Sequence, residues 1–203
     1  MPNTRLYGFR WLGPLNGGNP AAPLRFRVAS TYGVALNVGD PVEMLATGYV
    51  QLSAAGSAAL SLLGVIVGVA PYFDGVRMVQ GVRLPATTTY VLGEINGVST
   101  ESTVYVVPAA GNLFECCGGT ILAGGTRAVY LATIGNNIDH MITAAAPLNW
   151  PELNWGAVGA GTAQWRVMDL PRTLYVDWAA LYVPMIVSGN EVALPPASPL
   201  AGI

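Results

Sequence analysis

Val42-Glu-Met-Leu45, Ala46-Thr-Gly48, Tyr49-Val-Gln-Leu52 and, further on, Leu63-Gly-Val-Ile-Val-Gly-Val69 decide how this chain folds. The first two apolar, strand-like runs are separated by three residues ending in glycine. That spacing predicts a hairpin, because glycine supplies the positive φ that such a turn requires. The third run is short, rich in valine and bounded by turn residues, so it predicts a buried strand. A membrane helix is the competing reading, since Ala54 to Phe73 carries no charge over about the length that spans a bilayer. Gly56, Gly64, Gly68 and Pro71 interrupt that stretch and favour the strand.

Working outward, the same signals recur. Asp74-Gly75 turns the chain into Val76 to Leu84, and Thr87 to Ile95 connects through Asn96-Gly97 to Thr103 to Val107. Leu113 to Cys117, Arg127 to Ile134, Gln164 to Met168, Leu174 to Trp178 and Leu181 to Val187 continue the strand series, and Asn136 to Ile142 is the one plausible helix. Towards the N-terminus, Pro2, Pro14, Pro20 and Pro23 with Asn16-Gly-Gly-Asn19 leave room only for short regular structure, so residues 1–29 read as an extended arm. Pro195, Pro196 and Pro199 predict a stiff tail over 195–203. Many short strands with glycine turns predict an all-β domain over 30–194, a β-sandwich, jelly roll or β-barrel, with a loop-rich knob around 118–161.

Composition narrows the function. Only 10% of the 203 residues are charged while 52% are hydrophobic, so an exposed surface this poor in charge predicts a homo-oligomer or an assembly component. All nine basic residues are arginine, which removes phosphate-loop lysines, Schiff bases and Ser-Lys dyads, and favours planar contacts at interfaces. A net charge of −2 argues against nucleic acid as the partner of the whole domain. Arg5, Arg10, Arg25 and Arg27 all precede the first acid, Asp40, giving the arm a basic character suited to an acidic neighbour. Tyr7, Phe9 and Trp11 alternate with Gly8 and Arg10, a strand-like pattern able to add to a neighbour's sheet edge. These seven residues, Arg5, Tyr7, Phe9, Arg10, Trp11, Arg25 and Arg27, form the predicted docking arm.

Catalytic, cofactor and metal sites find little support in the sequence. The two cysteines, Cys116 and Cys117, are adjacent, and with the single histidine, His140, they fall short of a four-ligand zinc set. Reduced, half-buried cysteines point to synthesis in a reducing cytoplasm, and the opening residues lack a signal-peptide layout. Any nucleophile–base arrangement depends on His140, and no Gly-x-Ser-x-Gly elbow is present. Asp40, Asp74, Glu94 and Asp139 sit beside turn residues, where acids commonly close turns. Gly156-Ala-Val-Gly-Ala-Gly161 lacks the spacing and the following helix of a dinucleotide loop. Trp150, Trp155, Trp165 and Trp178 cluster late in the chain. Buried, they would anchor a core or an oligomer interface; on an exposed knob they would stack on sugars, a carbohydrate-binding adhesin module.

Val38-Gly-Asp-Pro-Val42, Thr47-Gly-Tyr-Val50 and Leu63-Gly-Val-Ile-Val-Gly-Val-Ala-Pro-Tyr72 resemble the opening of the β domain in cement, or decoration, proteins of tailed-bacteriophage capsids. Thr103-Val-Tyr-Val-Val107 and Asn112-Leu-Phe-Glu115 are similar to a segment of podophage head-decoration proteins, and Gln164-Trp-Arg-Val and Ser188-Gly-Asn-Glu-Val192 resemble their closing strands. Residues 118–161 depart from that pattern. The resemblance implies a non-enzymatic virion protein on the outer capsid surface. It would bridge neighbouring major capsid protein subunits as a closed oligomer, a trimer or else a dimer, with no nucleic acid or membrane partner.

Overall fold

The computed structural model describes residues 8–18, 22–29, 32–55, 62–73, 76–86, 94–95, 98–99, 102–119, 122, 124–145, 148–159, 163–171 and 175–190. The chain is mainly β. In order, its elements are β1 (Arg10–Pro14), β2 (Leu24–Val28), β3 (Leu36–Asn37), β4 (Pro41–Met44), β5 (Val50–Leu52), β6 (Leu62–Val69), β7 (Tyr72–Phe73), β8 (Met78–Val79) and β9 (Arg83–Leu84). Then follow β10 (Glu94–Ile95), β11 (Val98–Ser99), β12 (Ser102–Pro108), β13 (Asn112–Cys117), helix α1 (Arg127–Leu131), β14 (Asn137–Ala145), β15 (Leu148–Asn154), β16 (Trp165–Asp169) and β17 (Pro184–Gly189).

Two antiparallel sheets carry the fold. The first has the order β2-β12-β6-β4-β5 and the second β1-β13-β17-β16-β14-β15. In the first the two end strands also meet, and in the second the last strand reaches back to the chain beside its second strand. A parallel bridge from Arg27 to Tyr49 joins the β2 end of the first sheet to the start of β5, and another from Gly118 to Leu153 joins the chain just after β13 to β15. Closure of this kind pairs backbone groups that an open sheet would leave exposed at its edges.

The hairpin read from the sequence is present: Val42 faces Leu52 and Met44 faces Val50, while β4 pairs on its other side with β6. Strand β6 is buried along most of its length, which explains its unbroken apolar run. Its side chains divide between two cores. Ile66 and Val69 join Val28, Leu36, Val42, Val50, Leu84, Val104 and Val106 inside the first sheet. Leu62 and Val65 join Val107, Phe114, Trp165, Val167, Met185 and Val187 in the second core. Strands β6 and β12 are therefore common to both.

Ala109, between β12 and β13, ties the two sheets together. Its N–H donates to the Leu63 carbonyl at 3.0 Å, and its own carbonyl accepts the Gly189 N–H at 3.0 Å. Gly189 lies so close that a Cβ there would stand 2.7 Å from the Ala109 carbonyl carbon.

Four sequence expectations are corrected. Residues 127–134, expected as strand, contain the only α-helix among the described residues, α1, which buries Tyr130 completely. The turn after it ends at Gly135, whose φ of +87° suits glycine. Of residues 136–142, expected as helix, all but Asn136 belong instead to β14. There Ile138 and His140 are buried on one side and Asp139 is partly exposed between them, the period of a strand. Finally, residues 118–161 do not form a separate knob where described, because β14 and β15 are strands of the second sheet. Of the series expected around Leu174–Trp178, described residues 175–182 form turns and coil, and Tyr182 takes a φ of +63°.

The close approach at the junction gives a direct test. Gly189→Ala forces a methyl against the Ala109 backbone and is expected to destabilise the fold by about 1–3 kcal/mol in urea unfolding. Gly18→Ala, where a Cβ meets nothing within 4 Å, is expected to stay within about 0.5 kcal/mol of the parent.

Candidate functional site

Chemistry-bearing side chains converge where the two sheets meet. His140, on β14, is fully buried, and its Nε2 lies 3.1 Å from the backbone carbonyl of Ser53, just beyond β5. Trp165 donates from Nε1 to His140 Nδ1 at 3.3 Å. An indole nitrogen is only a donor, so Nδ1 must accept and the proton sits on Nε2, which donates to Ser53. Gln164 adds a second link by donating from Nε2 to Ser53 Oγ at 3.1 Å. Asp139 accepts the Gln164 backbone N–H at 3.1 Å, and Asn190 caps the far side, donating from Nδ2 to the Ala163 carbonyl at 3.0 Å.

Phe9 seals this network. Its ring stacks on Trp165 with centroids 4.4 Å apart and meets His140 edge-on at 6.3 Å. Burial pushes the imidazole pKa below its ordinary value. The Ser53 hydrogen bond and the Asp139 and Glu43 carboxylates pull the other way with smaller effect. Both ring nitrogens are engaged and the neutral form is favoured, so this histidine holds the sheets together rather than relaying protons. The seam is a structural site.

The predicted docking arm is only partly an outward-facing feature. Arg5 and Tyr7 lie outside the described residues. Phe9 is 3% exposed in the second core, which corrects its assignment as a docking residue: an aromatic ring gains more by stacking in the chain's own interior than by waiting for a partner. Trp11 is half-buried, donates from Nε1 to Asn112 Oδ1 at 3.2 Å and pairs with Phe114 on β13. Arg10 is exposed and forms an ion pair with Glu115 at 2.8 Å. Arg25 and Arg27 are exposed on β2, which pairs with β12, and Arg25 donates to Thr103 Oγ1 at 3.3 Å. Residues 10–14 and 24–28 are thus strands of the two sheets, not a free arm.

The tryptophans are also redistributed. Trp165 is completely buried and Trp155 is 6% exposed, so neither belongs to an exposed knob or an intermolecular interface. Trp155 packs edge-on against Tyr130 at 5.4 Å, and the partly buried Trp178 flanks the same tyrosine at 5.5 Å. Trp150 lies on β15 opposite Thr143, and its side chain is outside the described set. Their clustering in sequence reflects a common core around α1 that the loop-like Asn-Trp contexts concealed.

Cys116 and Cys117 are buried on β13, and neither is disulfide-bonded. Burial pushes the Cys116 thiol well up, with Cys117 and Glu152 adding to the rise, so it stays protonated and packs as a small apolar group. Among the described residues no group of three histidine, cysteine or acidic side chains is placed to hold a metal. No helix among them is long and apolar enough to cross a membrane. A groove of about 400 Å³ opens beside β1, lined by Phe9, Arg10, Trp11, Val38, Val67 and Val82 among others. Comparison with protein-family models, curated proteins and solved structures gives no match.

Two measurements follow from the seam. Removing the stacked ring with Phe9→Ala is expected to cost about 3–5 kcal/mol in chemical unfolding, as for a core aromatic; a free arm would lose almost nothing. The second concerns pH. The folded-state pKa of His140 is depressed, so between it and the unfolded value of about 6.5 the unfolded chain binds more protons, and stability falls as pH falls. The melting temperature should therefore drop between about pH 7 and pH 5, and His140→Gln should flatten that slope.

Proposed function

We propose that the chain is a structural virion component, a cement protein that seats on the outer face of a tailed-phage head as an oligomer and bridges neighbouring major capsid subunits. The observation that carries this reading is the surface. Large apolar side chains stand open on a chain with few charges: Val76 is 86% exposed, Val82 70%, Met78 59% and Leu24 50%. Such a surface favours lasting contacts with a partner over free solution.

The placement of the cement-like segments adds support. Val38-Gly-Asp-Pro41 leads into β4, Leu63–Val69 lies in β6, Thr103–Val107 in β12 and Asn112–Glu115 in β13. Strands β4, β6 and β12 are successive hydrogen-bonded neighbours, and β13 follows β12 directly. Segments distant in sequence thus form one continuous part of the fold. The adhesin alternative is less favoured, because Trp155 and Trp165, two of its four candidate stacking rings, are buried.

Bridging subunits around a symmetry axis calls for a closed oligomer. Light scattering after size-exclusion chromatography is expected to give a trimer, with a dimer also compatible, and a stable monomer would count against the proposal. Antibody to the chain should label the heads of tailed particles from cells that carry its gene. Labelling of tails alone, or of no particle, would reject a capsid location.

A further inference from the structure

His140 is the one histidine of the chain, and the geometry around it is sensitive to a single proton. In the neutral ring Nδ1 accepts the Trp165 indole N–H at 3.3 Å while Nε2 donates to the Ser53 carbonyl at 3.1 Å. A protonated imidazole carries an N–H on both nitrogens. The Ser53 bond survives that change, because Nε2 remains a donor. The Trp165 bond does not: two N–H groups then face one another between completely buried side chains, and an indole nitrogen has no acceptor to offer.

What the indole holds in place is the N-terminal strand. Phe9 stacks on Trp165 with centroids 4.4 Å apart, and β1 begins at the next residue. That strand differs from the other sheet ends. The Arg27–Tyr49 bridge joins β2 to the start of β5, and β15 is bridged to Gly118, whereas β1 has β13 on one side and no strand of the described residues on the other. Its ladder to β13 is short and slips in register between Trp11 and Gly13. The remaining ties are the Phe9 N–H to the Gly39 carbonyl at 2.8 Å, the Trp11–Asn112 bond, and the Arg10–Glu115 pair, which adds little because Arg10 stands in solvent. The first sheet keeps a core of its own, to which neither Phe9 nor Trp165 belongs.

From this geometry we propose that His140 is an acid-sensitive latch on β1: a proton on Nδ1 breaks the bond to the Trp165 indole, Phe9 loses its stacking partner, and β1 detaches from a body whose sheets stay folded. Such partial opening suits a strand with few anchors on a well-packed remainder. In the closed state burial keeps the ring neutral, against the Ser53 hydrogen bond and the carboxylates of Asp139, on its own strand, and Glu43 of β4. Phe9, Ser53, Leu153 and Trp165, which meet the ring from the other elements, do not titrate. Release of β1 lets water reach the imidazole and restores an ordinary histidine. The open form therefore holds the proton more tightly, and each pH unit below about 6.5 favours opening by up to about tenfold. The groove lined by Phe9, Trp11, Val38, Val67 and Val82 widens in step, since β1 forms one of its walls. The latch is independent of what the chain assembles with.

The test is hydrogen exchange read by mass spectrometry on the full chain, corrected for the intrinsic pH dependence of exchange, between about pH 7.5 and about pH 5, above the ordinary range of carboxylates. Peptides covering β1 are expected to lose protection by up to about tenfold per pH unit below about 6.5, while β6 and β12 keep theirs. In His140→Gln, which cannot gain the proton, protection of β1 should not depend on pH. With one histidine in the chain, the ring is also read directly by NMR in the parent, which decides the matter should that variant fold poorly: Nδ1 should take up its proton over the range in which β1 opens. Protection of β1 that is independent of pH, the same slope in His140→Gln, loss of β6 and β12 protection together with β1, or a protonated ring with β1 still protected would each overturn the proposal.

Discussion

Strand β6, and β12 at Val106 and Val107, face a hydrophobic core on each side, and the rest of the molecule is arranged around that constraint. A strand buried on both faces cannot alternate apolar and polar residues, so β6 reads as a nearly continuous apolar run, while β12 does so only at Val106 and Val107. Ile66 and Val106 go to one core and Val65 and Val107 to the other, so neither core is complete without the shared pair. Ala109 then bonds one sheet through its amide and the other through its carbonyl. This leaves little freedom for the sheets to part without exposing both interiors.

The polar seam meets the same constraint in a different way. Burying a histidine, a glutamine and an indole N–H costs several kcal/mol unless each finds a partner. Here the partners come from opposite sheets: Ser53 from the first, His140, Gln164 and Trp165 from the second. Directional bonds of this kind set the relative orientation of two apolar surfaces that would otherwise slide. The lone histidine, which in sequence invites a catalytic reading, is consumed by architecture.

Much of the fold was legible because strand signals were local. The Val42–Leu52 hairpin, the Leu63–Val69 run and the segments Thr103–Val107 and Gln164–Met168 each carry their own periodicity or turn chemistry. The misreadings share a cause in tertiary context. Arg127–Leu131 alternates like a strand, yet a single turn of helix suffices to deliver Tyr130 to the core beside Trp155 and Trp178. Asn136–Ile142 has polar residues that suggest a helix start, but Ile138 finds its partner at Trp165, far along the chain. Prolines and glycines made residues 1–29 look like a tether. What they obscured was a pair of short strands whose partners, β13 and β12, lie some eighty to a hundred positions away. The candidate site was partly legible: His140 stood out in the sequence as the one histidine, but its bonds to Ser53 and Trp165, far apart in the chain, did not.

The strand order also sets when each half of the molecule can be finished. Every strand of the first closed sheet, from β2 to β12, has left the ribosome once Pro108 has emerged. The second sheet is different, because β17 lies between β13 and β16, near its middle rather than at a rim. Until Pro184–Gly189 is synthesised, β13 has only β1 beside it, Ala109 lacks the donor for its carbonyl, and the interior around Trp165 is open on one side. The nascent chain therefore carries an unfinished half beside a completed one through the translation of about eighty residues.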